Sequence, residues 1–302
     1  MGEDMLNLES IELTETSSSP ETECLFVVIG YRRPDLVLNF LGSLLVQDLP
    51  TWGCVVVDNS ASDPDLRAAL RGVDDERVVS VAAPGNLGYF PGADFALRSW
   101  TEAGLTLPRW VVICNQDLVI QPDFVARLHA FAFDTGRVWC LAPRVWDATT
   151  GGDVNPYMAE RPRISKQLVV ALMSLTSRSY AVLASRYDRN ELVRAESRRQ
   201  EGPRDIYAAH GSLVCVSREF FTAGGSLSRR RRLFGEEVFL AEQMARLGAR
   251  TVYLPSLRAV HEAHATTDSS DFDEARAIMA ERRAASWGIV LDLTKAVFRR
   301  DR

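Results

Sequence analysis

The sequence predicts an α/β protein with an open mixed sheet flanked by helices. Residues 24–140 alternate short β-branched runs with amphipathic segments, which is the pattern of βαβ units in a doubly wound, nucleotide-binding sheet. Several of these runs end abruptly in polar residues, and open α/β sheets bind ligands beyond the carboxyl ends of their strands. The chain has 302 residues, which suits one large domain with appendages. We therefore expect a ligand crevice along one edge of the sheet.

The individual elements follow from hydrophobic periodicity. Short apolar runs predict these strands, in chain order: Leu25–Ile29, Cys54–Val57, Val78–Ala82, Val111–Cys114, Trp139–Ala142, Ser212–Val216 and Thr251–Leu254. Apolar residues at helical spacing predict these helices: Pro34–Gln47, Ala93–Ala103, one or two helices within Ile164–Arg199, and Phe272–Phe298. Turn-rich joints at 59–64 and 84–88 separate the elements of the first half.

The predicted organisation divides the chain into five segments. They are a flexible acidic tail over 1–23, a first half over 24–149, a helical insertion over 150–205, a second half over 206–268, and an amphipathic helical extension over 269–302.

Composition excludes several classes of protein. A formal net charge of −5 gives no reason to expect nucleic acid as a partner. The five cysteines stand singly without metal-ligand spacing, and we interpret them as reduced core residues of a cytoplasmic protein. The sequence contains neither an apolar run long enough to span a membrane nor the layout of a signal peptide.

One segment is locally basic. Nine basic and four acidic residues lie between Arg163 and Arg204, and the chain ends in Arg299-Arg300-Asp301-Arg302. A solvated helical face explains this segment, and so does a surface for a phosphate-bearing or membrane-bound partner. The second interpretation adds peripheral association with the inner face of the cell membrane to the expected cytoplasmic location.

Two nucleotide-binding motifs are missing. The first strand is followed by Gly30-Tyr31-Arg32-Arg33-Pro34, which lacks the GxGxxG glycines of a Rossmann dehydrogenase. The chain also has no GxxxxGK[ST] loop for a P-loop NTPase.

Polar residues at strand ends are the candidate site residues of the first half. Asp58 ends the second strand, where its carboxylate either binds a ligand or starts an Asx turn. The loop from Gly85 to Asp94 brings backbone close to a ligand or forms a plain turn. Asp117 ends the fourth strand in Asn115-Gln116-Asp117, as a cap or as a carboxylate that holds a metal ion against a phosphate.

The second half adds carboxylates and histidines. Glu236 and Glu237 lie at the predicted start of a helix, where acidic residues also stabilise the helix dipole. His261 and His264 are three residues apart, a spacing that fits a metal site or two unrelated histidines.

The linear order of the motifs carries a family resemblance. In chain order they are Val57-Asp58-Asn59-Ser60, Asn86-x-Gly88-Tyr89-x-x-Gly92, Asn115-x-Asp117 with Pro122, Gly211-Ser212-Leu213, Phe234-Gly235-Glu236-Glu237 with Gly248, Tyr253-x-Pro255 and His261. This series resembles the family 2 inverting glycosyltransferases of GT-A fold, above all the rhamnosyltransferase-like and galactofuranosyltransferase-like bacterial members. The resemblance covers about residues 24–130 and 207–265.

The resemblance implies roles for these residues. The first half would bind a nucleotide-sugar donor through Asp58, Asn59, Asn86, Gly88, Tyr89, Gly92, Asn115, Gln116 and Asp117. Asp117 and His261 would hold Mg²⁺ or Mn²⁺ at the donor diphosphate. Glu237 would remove the proton of an acceptor hydroxyl. The second half, residues 206–268, would therefore bind the acceptor and carry the catalytic base.

Three residues depart from the family pattern. Asn115 leaves Asp117 as the single carboxylate of the DxD-like element. Glu237 stands where the family has Asp, so the base is either Glu236 or Glu237. Asp94 stands where many members have Asn.

The expected function is therefore a metal-dependent inverting glycosyltransferase. Its donor would be dTDP-rhamnose or a UDP-sugar, and its acceptor a hydroxyl of a bacterial polysaccharide or of a lipid-linked glycan. One alternative is a non-catalytic nucleotide-sugar binding or scaffold protein of the same fold. The other is a sugar-phosphate nucleotidyltransferase, which would need a glycine-rich basic loop after the first strand that 30–34 does not supply.

Overall fold

The structure is a computed structural model that describes residues 22–131, 136–176, 202–229, 231–262 and 272–298. Side chains of the last helix are described from residue 276 to residue 295. The predicted acidic tail up to residue 21, the second part of the predicted insertion (177–201) and His264 lie outside the described residues.

Ten strands of the described residues form one mixed sheet. They are β1 Cys24–Gly30, β2 Trp52–Asp58, β3 Val78–Ala82, β4 Trp110–Asn115, β5 Leu118–Ile120, β6 Val138–Asp147, β7 Gly152–Asp153, β8 Arg204–Ile206, β9 Leu213–Ser217 and β10 Arg250–His261. The main path runs β3-β2-β1-β4-β9-β6-β10-β5, with β7 beside β6 and β8 beside β10. The first four strands of this path are parallel, whereas β9 is antiparallel to both β4 and β6.

Eight helices of the described residues surround the sheet. They are α1 Pro34–Leu45, α2 Pro64–Leu70, α3 Tyr89–Glu102, α4 Phe124–Ala130, α5 Ile164–Met173, α6 Arg218–Thr222, α7 Glu236–Arg246 and α8 Phe272–Phe298. Two apolar clusters cover the sheet, one containing residues of α1 and α4, the other residues of α3, α6 and α7. Every residue of β1 and β2 is buried, as expected for strands with helices on both faces.

The predicted strands are all present. β3 has the predicted bounds and β9 is shifted by one residue, whereas the other five are longer than predicted. The open mixed sheet flanked by helices is confirmed, and α8 has the predicted bounds. The predicted helix at Ala93 begins earlier, at Tyr89, so Gly92 lies inside a helix rather than in a loop. The insertion predicted as helical contains α5 but also β7, and β8 begins before its predicted end.

Candidate active site

The candidate site lies at the carboxyl ends of the parallel strands. Asp58 pairs in register with Gly30 at the end of β1, and Asn115 pairs with Ile29. Polar residues that end neighbouring parallel strands therefore meet at one edge of the sheet, where open α/β sheets bind ligands.

Asp58 organises the loop that follows β2. Its carboxylate is buried and accepts hydrogen bonds from the backbone N–H of Ser60 at 2.9 Å and of Asp63 at 2.7 Å. The Asx-turn role is thus present in the structure. A contact of Asp58 with the base or ribose of a donor stays a prediction.

Asn59 joins this loop to the glycine-bearing segment before α3. Its Nδ2 donates to the carbonyl of Gly88 at 3.1 Å and to Asn86 Oδ1 at 3.3 Å, while its Oδ1 accepts from Leu87 N–H at 2.8 Å. Asn86 Oδ1 also accepts the Gly88 N–H at 3.0 Å. Asn59 and Asn86 therefore fix the backbone that a donor would approach, and their carboxamides act on this loop.

Gly88 is required by a close contact between the two halves. Its φ is +88°, and a Cβ at this position would lie 2.0 Å from the carbonyl oxygen of Arg232. The next residue, Tyr89, donates its N–H to that same carbonyl at 3.1 Å. A side chain at residue 88 would separate the loop from the segment that precedes α7. Gly92 is different, because a Cβ there would make ordinary contacts of 3.5 Å with Ile29 and 3.8 Å with Asn59.

Gln116 holds the loop after β1. Its carboxamide accepts the Tyr31 N–H at 2.8 Å and donates to the Tyr31 carbonyl at 3.0 Å, and the side chain is buried. The side chain of Gln116 therefore contacts this loop, and a contact of Gln116 with the donor stays a prediction.

The two predicted metal ligands lie next to each other. His261 Nε2 is 3.0 Å from Asp117 Oδ1, and both side chains are buried. The contact follows from strand register, because β5 begins directly after Asp117 and pairs Leu118 with His261. The Glu262 N–H also donates to the Asp117 carbonyl at 3.1 Å.

Asp147 is a further acidic residue at this edge that the sequence analysis missed. It ends β6, opposite His261 in the register with β10. Burial lowers the pKa of His261, but the hydrogen bond and charge of Asp117, together with the charge of Asp147, outweigh burial and hold that pKa above its ordinary value. The signal was an apolar run ending in Asp, as in β2 and β4, and it was missed because Pro143 and Arg144 interrupt the run.

Asp117 and His261 fit a divalent cation. Asp117 Oδ2 is buried and has no hydrogen-bond partner among the described residues, so one oxygen of the carboxylate is available. Carboxylate oxygen suits Mg²⁺ and Mn²⁺. The imidazole of His261 would be a further ligand in its neutral form, so cation binding would release the proton that the nearby carboxylates favour. The described residues contain no group of three acidic, histidine or cysteine side chains arranged to hold a metal ion. A cation here would need oxygens from a diphosphate or water to complete its coordination.

Glu236 is tied into the protein at the start of α7. Gly235 precedes the helix in a left-handed conformation, with φ at +79°. Glu236 Oε1 accepts the Phe234 N–H at 2.9 Å, and its Oε2 is 3.4 Å from Arg229 Nη1. Both side chains of this ion pair are buried. Burial raises the pKa of Glu236, and the nearby charge of Arg229 opposes the rise.

Glu237 has the environment of a proton acceptor. Burial, together with the charge of Glu236, raises the pKa of Glu237 to about 8, while a hydrogen bond from the backbone of Gly211 opposes the shift. A Cβ at Gly211 would lie 3.2 Å from Glu237 Oε1, so glycine keeps this approach open. A general base works best with a pKa near the operating pH. Of the two glutamates, Glu237 is therefore the stronger candidate for the base.

Tyr89 connects the carboxylates of both halves. Its ring lies 3.7 Å from the Cβ position of Gly211, and its buried hydroxyl has no hydrogen-bond partner among the described residues. Burial raises its pKa well above the ordinary value, as do nearby charges that include Glu236, Glu237 and Asp117. That these charges come from both halves favours a shared crevice for the predicted metal ligand and the predicted base, which stays a prediction.

His210 is a second residue that the sequence analysis missed. Its Nδ1 lies 2.8 Å from Ser212 Oγ and accepts the Ser212 N–H at 3.2 Å. The backbone N–H of His210 donates to Asn155 Oδ1 at 2.8 Å, and the imidazole ring packs edge-on against Tyr157. The signal was a histidine directly before Gly211, the residue whose backbone contacts Glu237.

An open sheet with carboxylates at this edge is the architecture of a GT-A glycosyltransferase. The chain belongs to the family described as Glycosyltransferase like family 2, which matches residues 20–282. This match confirms the predicted family and shows that the protein is a transferase.

Named relatives agree with the family. The N-acetylglucosaminyl-diphospho-decaprenol L-rhamnosyltransferase of Mycobacterium tuberculosis (strain CDC 1551 / Oshkosh) is 25% identical over 248 residues, which cover 80% of this chain and 76% of that protein.

Solved structures share the fold at lower identity. S. aureus TarS (residues 1–349) in complex with UDP-GlcNAc superposes with a TM-score of 0.54 at 14% identity, covering 92% of this chain and 73% of the other. GalNAc-T7 with UDP, GalNAc and Mn²⁺ superposes with a TM-score of 0.52 at 15% identity, covering 82% of this chain and 45% of the other. The GT-A type of sheet predicted from the sequence is confirmed.

Proposed function

We propose that this glycosyltransferase is a metal-dependent inverting enzyme that uses dTDP-rhamnose or a UDP-sugar. One observation carries the proposal: the buried Asp117 carboxylate lies 3.0 Å from His261 Nε2 and keeps one oxygen that has no hydrogen-bond partner among the described residues. The mycobacterial relative is named as an L-rhamnosyltransferase, which supports the first donor. The TarS structure holds UDP-GlcNAc, which supports UDP-sugars as the second class of donor.

Glu237 is the general base of the proposed reaction. Its carboxylate removes the proton of the acceptor hydroxyl while that oxygen forms a bond to the anomeric carbon of the donor sugar. The bond from the anomeric carbon to the diphosphate oxygen breaks, and the nucleoside diphosphate leaves with its electron pair. A single displacement from the opposite face inverts the anomeric configuration. Glu236 is held by Phe234 and Arg229, and its negative charge keeps Glu237 basic.

Asp117 and His261 would hold the divalent cation, Mg²⁺ or Mn²⁺. The cation would offset the negative charge that develops on the leaving diphosphate. The Asp117 oxygen that has no partner among the described residues would be its protein carboxylate ligand. GalNAc-T7 was solved with Mn²⁺ and UDP, which supports such a site in a protein of this fold.

The loops after β2 and before α3 would bind the nucleotide. Asp58 and Asn59 shape these loops through their backbone contacts, and Gly88 lets the backbone approach without a side chain. Asn115 would face the donor from the end of β4, where it is only partly buried.

The proposed acceptor is a lipid-linked glycan or a growing bacterial polysaccharide. The relative's name includes a diphospho-decaprenol carrier, which supports a lipid-linked acceptor. We further propose that the enzyme works in the cytoplasm at the inner face of the cell membrane. The described part of the chain includes no helix that is long and apolar enough to cross a membrane.

Donor turnover tests the mechanism. Release of nucleoside diphosphate is measured with a panel of dTDP- and UDP-sugars, with Mn²⁺, with EDTA, and for Glu237→Gln. We expect EDTA and Glu237→Gln each to lower the rate by about 100-fold or more. Glu102→Gln, at the exposed end of α3, is the matched control and should keep the wild-type rate. Unchanged rates in both cases would refute the mechanism.

Calorimetry separates catalysis from simple binding. UDP and dTDP are titrated with Mn²⁺ into the wild-type protein and into Asp117→Asn. Tight binding without turnover of any donor, in the presence of extracts that contain acceptor, would favour the non-catalytic binding protein. Release of nucleoside triphosphate from a nucleotide sugar and diphosphate would favour the nucleotidyltransferase.

A further inference from the structure

Helix α5 exposes an apolar face. Leu168, Val169 and Leu172 are 40%, 54% and 49% exposed, and their spacing places them on one side of the helix. Leu175, which is 57% exposed, lies in the turn that follows the helix. On the other side, Ala171 is buried in the contact with α8. A surface helix normally turns its apolar stripe inward and its polar residues outward. Helix α5 is therefore apolar on both sides, and the outward side faces solvent.

The apolar face continues into a groove between α5 and α8. The groove has a volume of about 260 Å³ and is lined by Ser174, Leu175, Ala280, Arg283, Ala284 and Trp287. Met279 on α8 is a further exposed apolar side chain, at 40% exposure. Large exposed apolar patches mark interaction sites on soluble domains.

Arg283 holds the two helices together at this groove. Its Nε donates to the Ser174 carbonyl at 2.6 Å, and its Nη2 donates to the Leu175 carbonyl. These carbonyls belong to the two residues that directly follow α5, beyond its last hydrogen-bonded turn. The groove is consequently a fixed feature of the helix pair, and it carries a cation beside its apolar lining.

The charges around this surface are predominantly basic. Helix α5 contains no acidic residue, whereas Arg163 and Lys166 at its start are both exposed. On α8, Arg276 and Arg282 are exposed as well.

The two acidic residues among the described side chains of α8 are turned to other partners. Glu281 pairs with Arg232 at 2.6 Å, and Asp292 lies 3.9 Å from Arg231. Neither carboxylate therefore offsets the basic residues around the apolar face.

We propose that the outward face of α5 and the α5–α8 groove dock on an anionic lipid bilayer. An apolar helix face flanked by Lys and Arg is the composition that inserts into the interface of such a membrane. A second copy of this chain fits less well. In a two-fold contact the same patch meets itself, so one basic rim would face another.

The proposed docking surface is the part of the protein that would contact the membrane in the proposed function, and its biological purpose rests on that function. Arg232, which pairs with Glu281 of α8, also accepts the Tyr89 N–H through its carbonyl. A bilayer docked on α5 and α8 would thus lie beside a helix that contacts the catalytic segment directly. A lipid-linked acceptor would be presented from that side.

Vesicle flotation tests the surface. The full chain is mixed with vesicles of phosphatidylcholine alone or with 30% phosphatidylglycerol, the latter fraction being roughly the anionic content that basic surfaces respond to. We expect flotation with the anionic vesicles and about tenfold weaker binding for Leu172→Glu, with Val169→Glu repeating the effect. Leu38→Glu on α1 is the matched control, since Leu38 is 39% exposed on a different helix, and it should bind as the wild type does.

Three results would overturn the proposal. They are a wild-type protein that stays with the buffer, a Leu172→Glu variant of unchanged helical content that floats as well as the wild type, and a Leu38→Glu variant that loses binding equally. Sedimentation that shows a dimer split by Leu172→Glu, with no vesicle binding, would assign the face to a second copy. Donor turnover is measured separately, so vesicle binding without turnover would refute the proposed function and leave the docking surface standing.

Discussion

Replacing Gly88 by alanine should damage the contact between the two halves of the site. Gly88 has a φ of +88° and a ψ of −163°, a region that is essentially restricted to glycine. Holding alanine there costs about 1–3 kcal/mol. The added Cβ would also lie 2.0 Å from the Arg232 carbonyl oxygen, so the backbones must separate and the Tyr89–Arg232 hydrogen bond is lost, at about 1 kcal/mol. The expected loss in the free energy of unfolding is about 2–4 kcal/mol.

Gly92→Ala provides a matched control within the same segment. A Cβ there would make only ordinary contacts, the shortest of which is 3.5 Å to Ile29. Because residue 92 lies inside α3, alanine should stabilise the helix by about 0.5–1 kcal/mol.

Urea unfolding and nucleotide titration measure the two variants. We expect Gly88→Ala to bind UDP or dTDP at least about tenfold more weakly in the presence of Mn²⁺, because Asn59 and Asn86 then hold a displaced loop. Glu102→Gln, at the exposed end of α3, should bind as the wild type does, whereas Gly92→Ala is the control for stability alone. If Gly88→Ala unfolds within about 0.5 kcal/mol of the wild type, the Gly88–Arg232 contact is not what requires glycine there.

Three further substitutions test the crevice. Asp117→Asn should lower turnover by about 100-fold and abolish its dependence on Mn²⁺, measured by release of nucleoside diphosphate. The turnover rate of the wild type should rise with pH through about 8, because Glu237 must lose its proton to act as the base. Glu236→Gln removes the negative charge that, in addition to burial, raises the pKa of Glu237. The rising part of the pH profile should therefore move to lower pH in this variant. Tyr89→Phe removes a buried hydroxyl that has no partner among the described residues, so it should stabilise the fold by about 1 kcal/mol yet slow turnover if the hydroxyl serves the substrate.

Each of these predictions has an outcome that contradicts it. Full Mn²⁺-dependent turnover in Asp117→Asn would place the cation elsewhere. A pH limb of Glu236→Gln at or above that of the wild type would show that Glu237 is not the titrating base. Tyr89→Phe that loses stability would show that the hydroxyl is hydrogen-bonded in solution.

The strands of the fold were predictable wherever burial on both faces leaves a long apolar run. β1 and β2 are such strands. By contrast, β5 has three residues and β7 has two, and neither length shows a periodicity. The antiparallel direction of β9 was equally hidden, because strand direction depends on the connection and not on the residues of the strand.

The proximity of Asp117 and His261 could be predicted only from the order of motifs. The two residues are 144 positions apart, and what joins them is the antiparallel pairing of β5 with the end of β10. Periodicity carries no information on such a pairing. The resemblance to a family supplied it, and the register gives the physical reason.

Gln116 has a contact that the sequence did not predict. As a polar residue after β4 it was predicted to bind the donor, which stays a prediction, while its carboxamide matches the N–H and C=O of Tyr31 in the neighbouring loop. Both a ligand and an exposed peptide group present the same hydrogen-bonding partners to a buried amide. Sequence alone does not distinguish them.

The segment with Arg229, Arg231 and Arg232 explains how the two halves of the site are held in register. Arg229 pairs with Glu236 at the start of α7, while the side chain of Arg232 pairs with Glu281 on α8. The carbonyl of Arg232 meanwhile accepts the N–H of Tyr89. This last contact uses backbone atoms on both sides, so it depends on the absence of a side chain at Gly88 and not on the identity of residue 232. The loop before α3 therefore approaches the segment before α7 because Gly88 has no Cβ, whereas the side chains of Arg229 and Arg232 pair with Glu236 and Glu281.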